Sequence, residues 1–461
     1  IIISLNISPE TKNKNPIYRR GNISPDSIMD MVNGESPKTF IDPKDYLQEA
    51  KKNNLSVSAN GVVFEKNKQG FLSVLMEKMY EERKMYKDLM LDCKRTLKEK
   101  KDVLTKEEII QLDMDISKYH NFQLARKIQL NSAFGALGNQ WCRYYDIDLA
   151  EAITMSGQLA IRWIAIHLNK YLNKTLSTED VDYVIASDTD SIYLNLGPLV
   201  SKIMPNETNE EKITKFIEKV SDNAIQKEIN KRFEELANLM NSYSQKMNME
   251  REVIASRGIW TAKKRYMLNL CMGEDGVYLE VPEMKIMGIE TSRSSTPQIV
   301  RDNLKKAINL LMYSTEEELI SFIENFRTEF NKLPPEKIAF PRSCRGLAEY
   351  FDAATIYRKS TPIHVKGSLL YNHFVTIKKL QKKYPLIKDG EKIKFIYLKV
   401  PNSIGDKVIS FLGTIPKELD IDRFIDYNTQ FEKSFLEPLS NITNAIGWKC
   451  EKQNTLESLF S

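Results

Sequence analysis

Cysteine is scarce, with five in 461 residues at positions 93, 142, 271, 344 and 450 and no Cys-x-x-Cys pair. That scatter excludes a zinc ribbon and a disulfide framework, and it points to a reducing compartment. The four histidines, His120, His167, His364 and His373, form no metal-ligand pattern. No apolar run is long enough to cross a bilayer. The most apolar helix candidate, Ala150 to Leu168, carries Glu151 and Arg162 and reads as a buried amphipathic helix. The start lacks a basic n-region and a methionine, so no secretory signal is expected. Internal repeats and low-complexity linkers are missing too. Neither sign of charge dominates: 67 basic against 62 acidic side chains leave a formal net charge of +5, a weak pointer to a nucleic-acid partner until the charges are placed.

Glycine and proline are absent from Phe71 to Phe134. With helix formers dominating, Phe71 to Leu137 reads as two long helices. At 100 degrees per residue, Lys87, Lys94, Lys98 and Lys101 fall within about 60 degrees of Arg83, with Met90 intruding. Tyr86, Leu89, Cys93 and Leu97 form an adjacent apolar stripe. This basic face is either solvated or holds an anion. On the second helix, Lys127, Asn131, Phe134 and Gly138 share a face. A cation, a directional amide, a flat ring and a small residue suit a nucleotide, since lysine meets phosphate and the ring meets a base.

What is present in the second third is acid. Asp188 and Asp190, in Ser-Asp-Thr-Asp-Ser-Ile, stand two apart between the strand-like runs 183–186 and 192–196. In extended geometry both would face one way, and paired carboxylates suit a hard divalent cation such as Mg2+. The alternative is an ordinary Asp-rich hairpin turn. An EF-hand is excluded, because Ile192 and Tyr193 stand where a ligand and a glycine are required and Leu199 stands at position twelve. A weaker pair, Glu250 and Glu252, precedes a β-like run. Residues 253–290 read as β, with the turn Gly-Glu-Asp-Gly. Pro297 to Leu333 reads as two helices, the second with capping-box spacing at Ser314 and Glu317.

Lys127 to Gly135 (KIQLNSAFG), then Asp188 to Ser191 (DTDS), then Lys263 to Tyr266 (KKRY), in that order, resemble the family B DNA polymerases. The likeness is to the replicative polymerases of T-even-type bacteriophages. ISPET (Ile7 to Thr11), ALGNQWCRYYD (Ala136 to Asp146) and KIMGIETSRSSTP (Lys285 to Pro297) carry it as well, so it runs the length of the chain. The fold implied is mixed α/β. It is a right-hand polymerase with a palm (1–70 and 140–288), inserted helical-hairpin fingers (71–139), a thumb (289–454) and a clamp-binding tail (455–461). The activity implied is template-directed nucleotidyl transfer from a dNTP to a primer 3′-hydroxyl, with two Mg2+ ions. Asp188 and Asp190 match the palm acids, Asp190 being the better direct ligand, with Glu252 and Glu250 beside them. Arg83, Lys87, Lys127, Asn131 and Phe134 match residues that hold the incoming nucleotide. Lys263, Lys264, Arg265 and Tyr266 resemble a stretch that contacts duplex DNA; read alone, it is a strand with cations on both faces.

The tail's Leu456, Leu459 and Phe460, at i, i+3 and i+4, resemble a sliding-clamp-binding peptide. The partners implied are primer-template DNA, dNTP and the clamp, in a host cytoplasm and without a membrane. Local propensity makes IIISLNI a strand, whereas the resemblance makes it a helix, which we adopt.

Three departures follow from the same likeness. The family's first palm motif, with its aspartate, belongs immediately before IIISLNISPET. The expectation is therefore a fragment, or one half of a split polymerase whose partner chain carries the amino-terminal and exonuclease domains, inactive or nearly so alone. Phe134 stands where the family usually has tyrosine, so altered discrimination is expected. The segment between Arg83 and Lys127 is shorter than in the family. Two other readings are a DNA- and clamp-binding module without chemistry, and a metal-dependent nuclease.

Overall fold

The first residues are aliphatic and β-branched, yet they close one helical turn, α1 (Ile2–Leu5), ending in a left-handed Asn6 with φ of 60°. The computed structural model describes residues 1–36, 41–100 and 102–451. Asn6 is fully buried and its side-chain amide donates to the carbonyls of Glu65 (2.8 Å) and Lys68 (2.9 Å), which fixes the turn. Helices α2 (Pro25–Asn33) and α3 (Pro43–Lys52) follow, each with proline in its first turn and a capping Ser24 or Asp42. The short ladder β1 (Leu55–Val57) with β2 (Val63–Glu65) is antiparallel.

The breaker-free stretch forms α4 (Phe71–Glu99) and α5 (Lys106–Leu137), as its composition predicts. Thr105 and Glu108 close a capping box at the start of α5. Few residues of the pair are buried, so aromatic and ionic ties hold it together. Tyr86 packs on Phe122 (5.0 Å between ring centres) and Tyr119 (6.5 Å), and Arg126 Nε meets Glu82 at 2.5 Å. These pairings run in opposite directions along the two helices, as an antiparallel hairpin requires. Burial, and then the charge of Asp115, push the Cys93 thiol up, in keeping with the same register.

The long α6 (Ile147–Leu176) puts Leu149, Ala152, Leu159, Trp163, Ile164 and Leu168 inside, at helical spacing, against Phe233, Leu236 and Met240. It is followed by β3 (Val184–Asp188), β4 (Ser191–Leu194), α7 (Gly197–Ile203), α8 (Glu210–Val220) and, through a π-turn at Ser221–Ile225, α9 (Gln226–Leu239).

A three-stranded sheet has the order β5 (Ile254–Ala262), β6 (Arg265–Met272), β7 (Tyr278–Met287). The chain divides into two compact units, residues 1–256 with 270–283, and residues 257–269 with 284–461. After its strand segments, the second unit continues with α10 (Gln298–Tyr313) and α11 (Glu316–Phe330). The cap of α11 is one residue later than the spacing suggested: Thr315, not Ser314, accepts from Glu318 N. Then come α12 (Pro335–Ile338), β8 (Phe340–Ser343), α13 (Leu347–Tyr350), a two-residue ladder of β9 (Phe351–Asp352) with β10 (Ile356–Tyr357), and α14 (Ile363–Ile377). Strands β11 (Lys392–Tyr397) and β12 (Val408–Phe411) complete an antiparallel sheet of order β12-β11-β8, before α15 (Tyr427–Phe431) and α16 (Glu437–Thr443). Phe326, Phe330, Phe431 and Phe435 form a cluster of edge-to-face and tilted rings with centres 4.9 to 5.8 Å apart. Each ring is almost fully buried and contributes about 1.5–3 kcal/mol. Among the described residues no helix is long and apolar enough to cross a membrane.

Candidate functional site

Two carboxylates mark the tip of the β3–β4 hairpin. Asp188 ends β3 and pairs with Ser191 across a two-residue turn of Thr189 and Asp190. Thr189 is left-handed, with φ of 57°. A β-branched residue pays for that conformation, on the order of 1–3 kcal/mol, and such strain gathers at functional sites. The turn is bound tightly: Asp190 N donates to Asp188 O at 2.6 Å, Thr189 Oγ1 to Asp188 Oδ1 at 3.0 Å, and Ser191 Oγ to Asp188 O at 3.2 Å. From behind, Asn169 of α6 accepts from Tyr183 N and Val184 N, which anchors β3. Asp188 is half-buried and Asp190 exposed. Because Asp190 lies in the turn, the alternation rule for extended strands does not run through both acids.

Glu250 and Glu252 lie in the loop before β5, both exposed, and Glu250 accepts from Asn248 Nδ2 at 2.6 Å. Arg251 between them turns to Gly273 O (3.0 Å) and Glu218 (3.6 Å). Among the described residues no three or more His, Cys, Asp or Glu side chains gather in one metal-ligand group. The glutamates therefore do not complete a ligand set with the aspartates. Two hard oxygen donors still fit Mg2+, which is held by one or two carboxylates with water and substrate phosphate supplying the rest.

On the helical hairpin, the Glu82–Arg126 clasp joins the residues next to Arg83 and Lys127, so these two cations stand at one level. Lys127, Asn131 and Phe134 are exposed on α5, Phe134 by 38%. Arg83 is half-buried, and its Nε is enclosed with no hydrogen-bond partner among the described residues. The basic stripe of α4 is not solvated throughout: Met90 within it is buried, and Lys87 meets Glu274 at 3.2 Å. Lys101 lies outside the described residues.

Lys263 and Lys264 occupy a two-residue turn between β5 and β6, with Lys264 left-handed (φ of 61°), so the stretch is not the two-faced strand that local reading made it. Arg265 starts β6 and pairs with Glu290 at 2.8 Å; Tyr266 stacks on Trp260, ring centres 6.2 Å apart. Leu456, Leu459 and Phe460 lie outside the described residues.

The root of the hairpin is a feature that residue patterns missed. Helix α4 begins at Gly70, which has no side chain to cap it. The loop Ile7 to Thr11 does so from a distance: Glu10 Oε1 accepts from Phe71 N (2.5 Å), Ser8 Oγ from Leu72 N (3.3 Å) and Asn6 Oδ1 from Gly70 N (2.8 Å). A Cβ on Gly70 would stand 2.4 Å from that of Ser8. Burial works against the Glu10 charge, but the hydrogen bonds from Ser8 and Phe71 outweigh it and hold this carboxyl below its ordinary value. Lys12, two residues on, reaches Asp146 and Asp148 at 2.8 Å each; the two acids overcome burial and raise its pKa. A Ser-x-Glu ending two positions before a lysine, far from the start of α4, gave no local signal of a cap.

A family model described as DNA polymerase family B matches residues 1–446. The chain is 32% identical to the DNA-directed DNA polymerase of Enterobacteria phage T4 over all of its own length and 54% of that protein. It is 31% identical to the DNA-directed DNA polymerase of Escherichia phage RB69, over 96% of this chain and 54% of that one. A DNA polymerase of Pyrococcus abyssi is 24% identical over 84% of the chain. The chain spans about half the length of the two phage relatives.

Proposed function

The chain belongs to DNA polymerase family B, and from that premise we propose that it forms the nucleotide-joining part of a replicative DNA polymerase. In this reading the β3–β4 hairpin belongs to a palm, α4 and α5 are the fingers, and the second unit from about residue 289 is the thumb. A primer 3′-hydroxyl attacks the α-phosphate of a template-selected dNTP and pyrophosphate leaves. Asp188 and Asp190 hold Mg2+, two ions in the assembled enzyme, which when bound supply charge neutralisation at the reacting phosphate. Arg83, Lys87 and Lys127 neutralise the triphosphate, Asn131 adds a directed hydrogen bond, and Phe134 offers a flat face to the nascent pair. Lys263, Lys264, Arg265 and Tyr266 contact the duplex backbone. Leu456, Leu459 and Phe460 dock on a sliding clamp.

The observation that carries the reading is the placement of Arg83 and Lys127 beside the Glu82–Arg126 ion pair that joins the two helices, in a chain whose family match runs 1–446. Among the described residues no third His, Cys, Asp or Glu joins Asp188 and Asp190 in a metal-ligand group. We therefore expect these 461 residues to need a further carboxylate from another polypeptide, and not to extend a primer alone. Primer extension with Mg2+ and four dNTPs tests this, using the chain alone and then with a polypeptide equivalent to the rest of a relative. Extension only in the mixture, lost by on the order of a thousandfold in Asp190→Ala, supports it, since metal stabilisation of the transition state is worth several kcal/mol. Extension by the pure chain alone would refute the need for a partner.

The same lack of a third ligand beside Asp188 and Asp190 among the described residues supports one other reading, a DNA- and clamp-binding module. Salt-sensitive duplex binding without Mg2+-dependent nucleotide binding would select it. Cleavage of end-labelled DNA with Mg2+ would instead select a nuclease.

A further inference from the structure

The turn Gly273-Glu274-Asp275-Gly276 between β6 and β7 is packed against α4, within the first unit. Asp275 is 5% exposed, a rare state for a carboxylate unless it is paired. One oxygen accepts from Lys98 Nζ at 2.5 Å and the other from Val277 N at 3.2 Å, while its backbone carbonyl accepts from Arg95 Nε at 3.1 Å. Arg251 donates to Gly273 O at 3.0 Å from the other side. Gly276, with φ of 73°, supplies the left-handed corner that closes the turn. Once Asp275 is seated, its neighbour Glu274 is delivered to Lys87, 3.2 Å away.

Lys87 is one of the cations that the proposed function assigns to the triphosphate. In this arrangement its ammonium is met by an acid of the chain, 3.2 Å away. We infer that Glu274 is an internal stand-in for a nucleotide phosphate: it holds Lys87 when no nucleotide is bound and must release it before the lysine can meet a triphosphate. Asp275, Lys98 and Arg95 are the fixed part of the device and Glu274 is the exchangeable part. The exposures fit this division, for Asp275 is enclosed while the Lys87 and Glu274 side chains are 33% and 36% exposed. An exposed pair of this kind is weak, so it tunes affinity by a small factor rather than blocking the site. Glu274 is thus a positioning residue that sets the nucleotide affinity of α4.

The inference rests on the assignment of Lys87 to the triphosphate, and the experiment separates the two. The affinity of the full chain for Mg·dATP is measured by titration calorimetry at 50 and 500 mM salt, for the wild type, Glu274→Gln, Lys87→Ala and the double variant. The expected result is a gain of about two- to fivefold in Glu274→Gln at low salt, fading at high salt, and a double variant that binds like Lys87→Ala. Glu274→Gln equal to wild type, with Lys87→Ala weakened, overturns the stand-in and leaves the triphosphate role intact. Lys87→Ala equal to wild type, or no binding by any variant, overturns the assignment itself and the inference with it. A gain in Glu274→Gln that persists in the Lys87→Ala background also overturns it, because the effect would not pass through Lys87.

Discussion

Helices α4 and α5 present similar side chains, but the chain treats them differently. On α4, Lys87 and Lys98 are paired with Glu274 and Asp275. On α5, Lys127, Asn131 and Phe134 stand exposed. Both stripes come from the same periodicity, so the difference is not in the helices. It comes from what lies opposite: an acidic turn, about 180 residues further along the chain, faces α4. A helical wheel reports which residues share a face and is silent about that face's neighbour.

Replacing the lysines one at a time is the strongest way to sharpen this contrast. Lys127→Ala should weaken dNTP binding about 10- to 100-fold, the loss of a charge-assisted hydrogen bond of about 1.5–3 kcal/mol. Lys87→Ala should cost less, because its free state already includes an ion pair that the variant also gives up. Equal losses in nucleotide titrations would break the contrast. Next, Asp275→Asn should loosen α4 alone. Hydrogen exchange of the amides near Lys87 to Lys98 should quicken about tenfold while that of α5 near Lys127 is unchanged, as expected for losing one charge-assisted bond of that size. Uniform quickening would show that the turn stabilises the whole hairpin instead.

Smaller effects follow. In a reconstituted enzyme, Phe134→Tyr keeps the ring and adds a hydroxyl, so mismatch incorporation should change by a few-fold with little change in binding, about the size of one neutral hydrogen bond. Unchanged mismatch rates would make Phe134 a tolerated variant. The smallest effect concerns the root of α4. Glu10 has a depressed pKa, so its contribution is complete above the ordinary glutamate value of 4.5 and is lost as pH falls through the lower folded value. Amide exchange at Phe71, corrected for intrinsic rates, should gain a pH dependence in that acidic window, which Glu10→Gln removes. A dependence that survives the substitution would put the titration elsewhere.

Much of the fold was legible because its signals are local. The empty stretch for glycine and proline announced α4 and α5, and the apolar run Ala150 to Leu168, interrupted by Glu151 and Arg162, announced the middle of α6. The acids of the β3–β4 turn were legible as a pair. Other features depended on distance. The acceptors that cap α4 sit some sixty residues before it. The left-handed Lys264 turned an apparent strand into a corner, and Thr315 displaced Ser314 as a cap by a single residue, a scale at which helix ends are not fixed by pattern. Helix α1 overrode its β-branched composition, since a buried left-handed Asn6 bonded to two carbonyls outweighs propensity over four residues.

Gly70 has a consequence for how such a protein can be rebuilt. A side chain there has no room, and the amides beside it are bonded to residues 6 to 10, so the start of α4 is fixed from outside the hairpin. Towards the opposite end, Asp275 still holds Arg95 and Lys98 of α4, and beyond them Val103 is 86% exposed. The hairpin is therefore a cassette with a keyed socket at its root and a second hold at Asp275, open only beyond Lys98. Its length can be edited at the tip by whole helical turns, whereas moving it to another scaffold requires carrying the Asn6 to Glu10 segment along as the lock that fits the key.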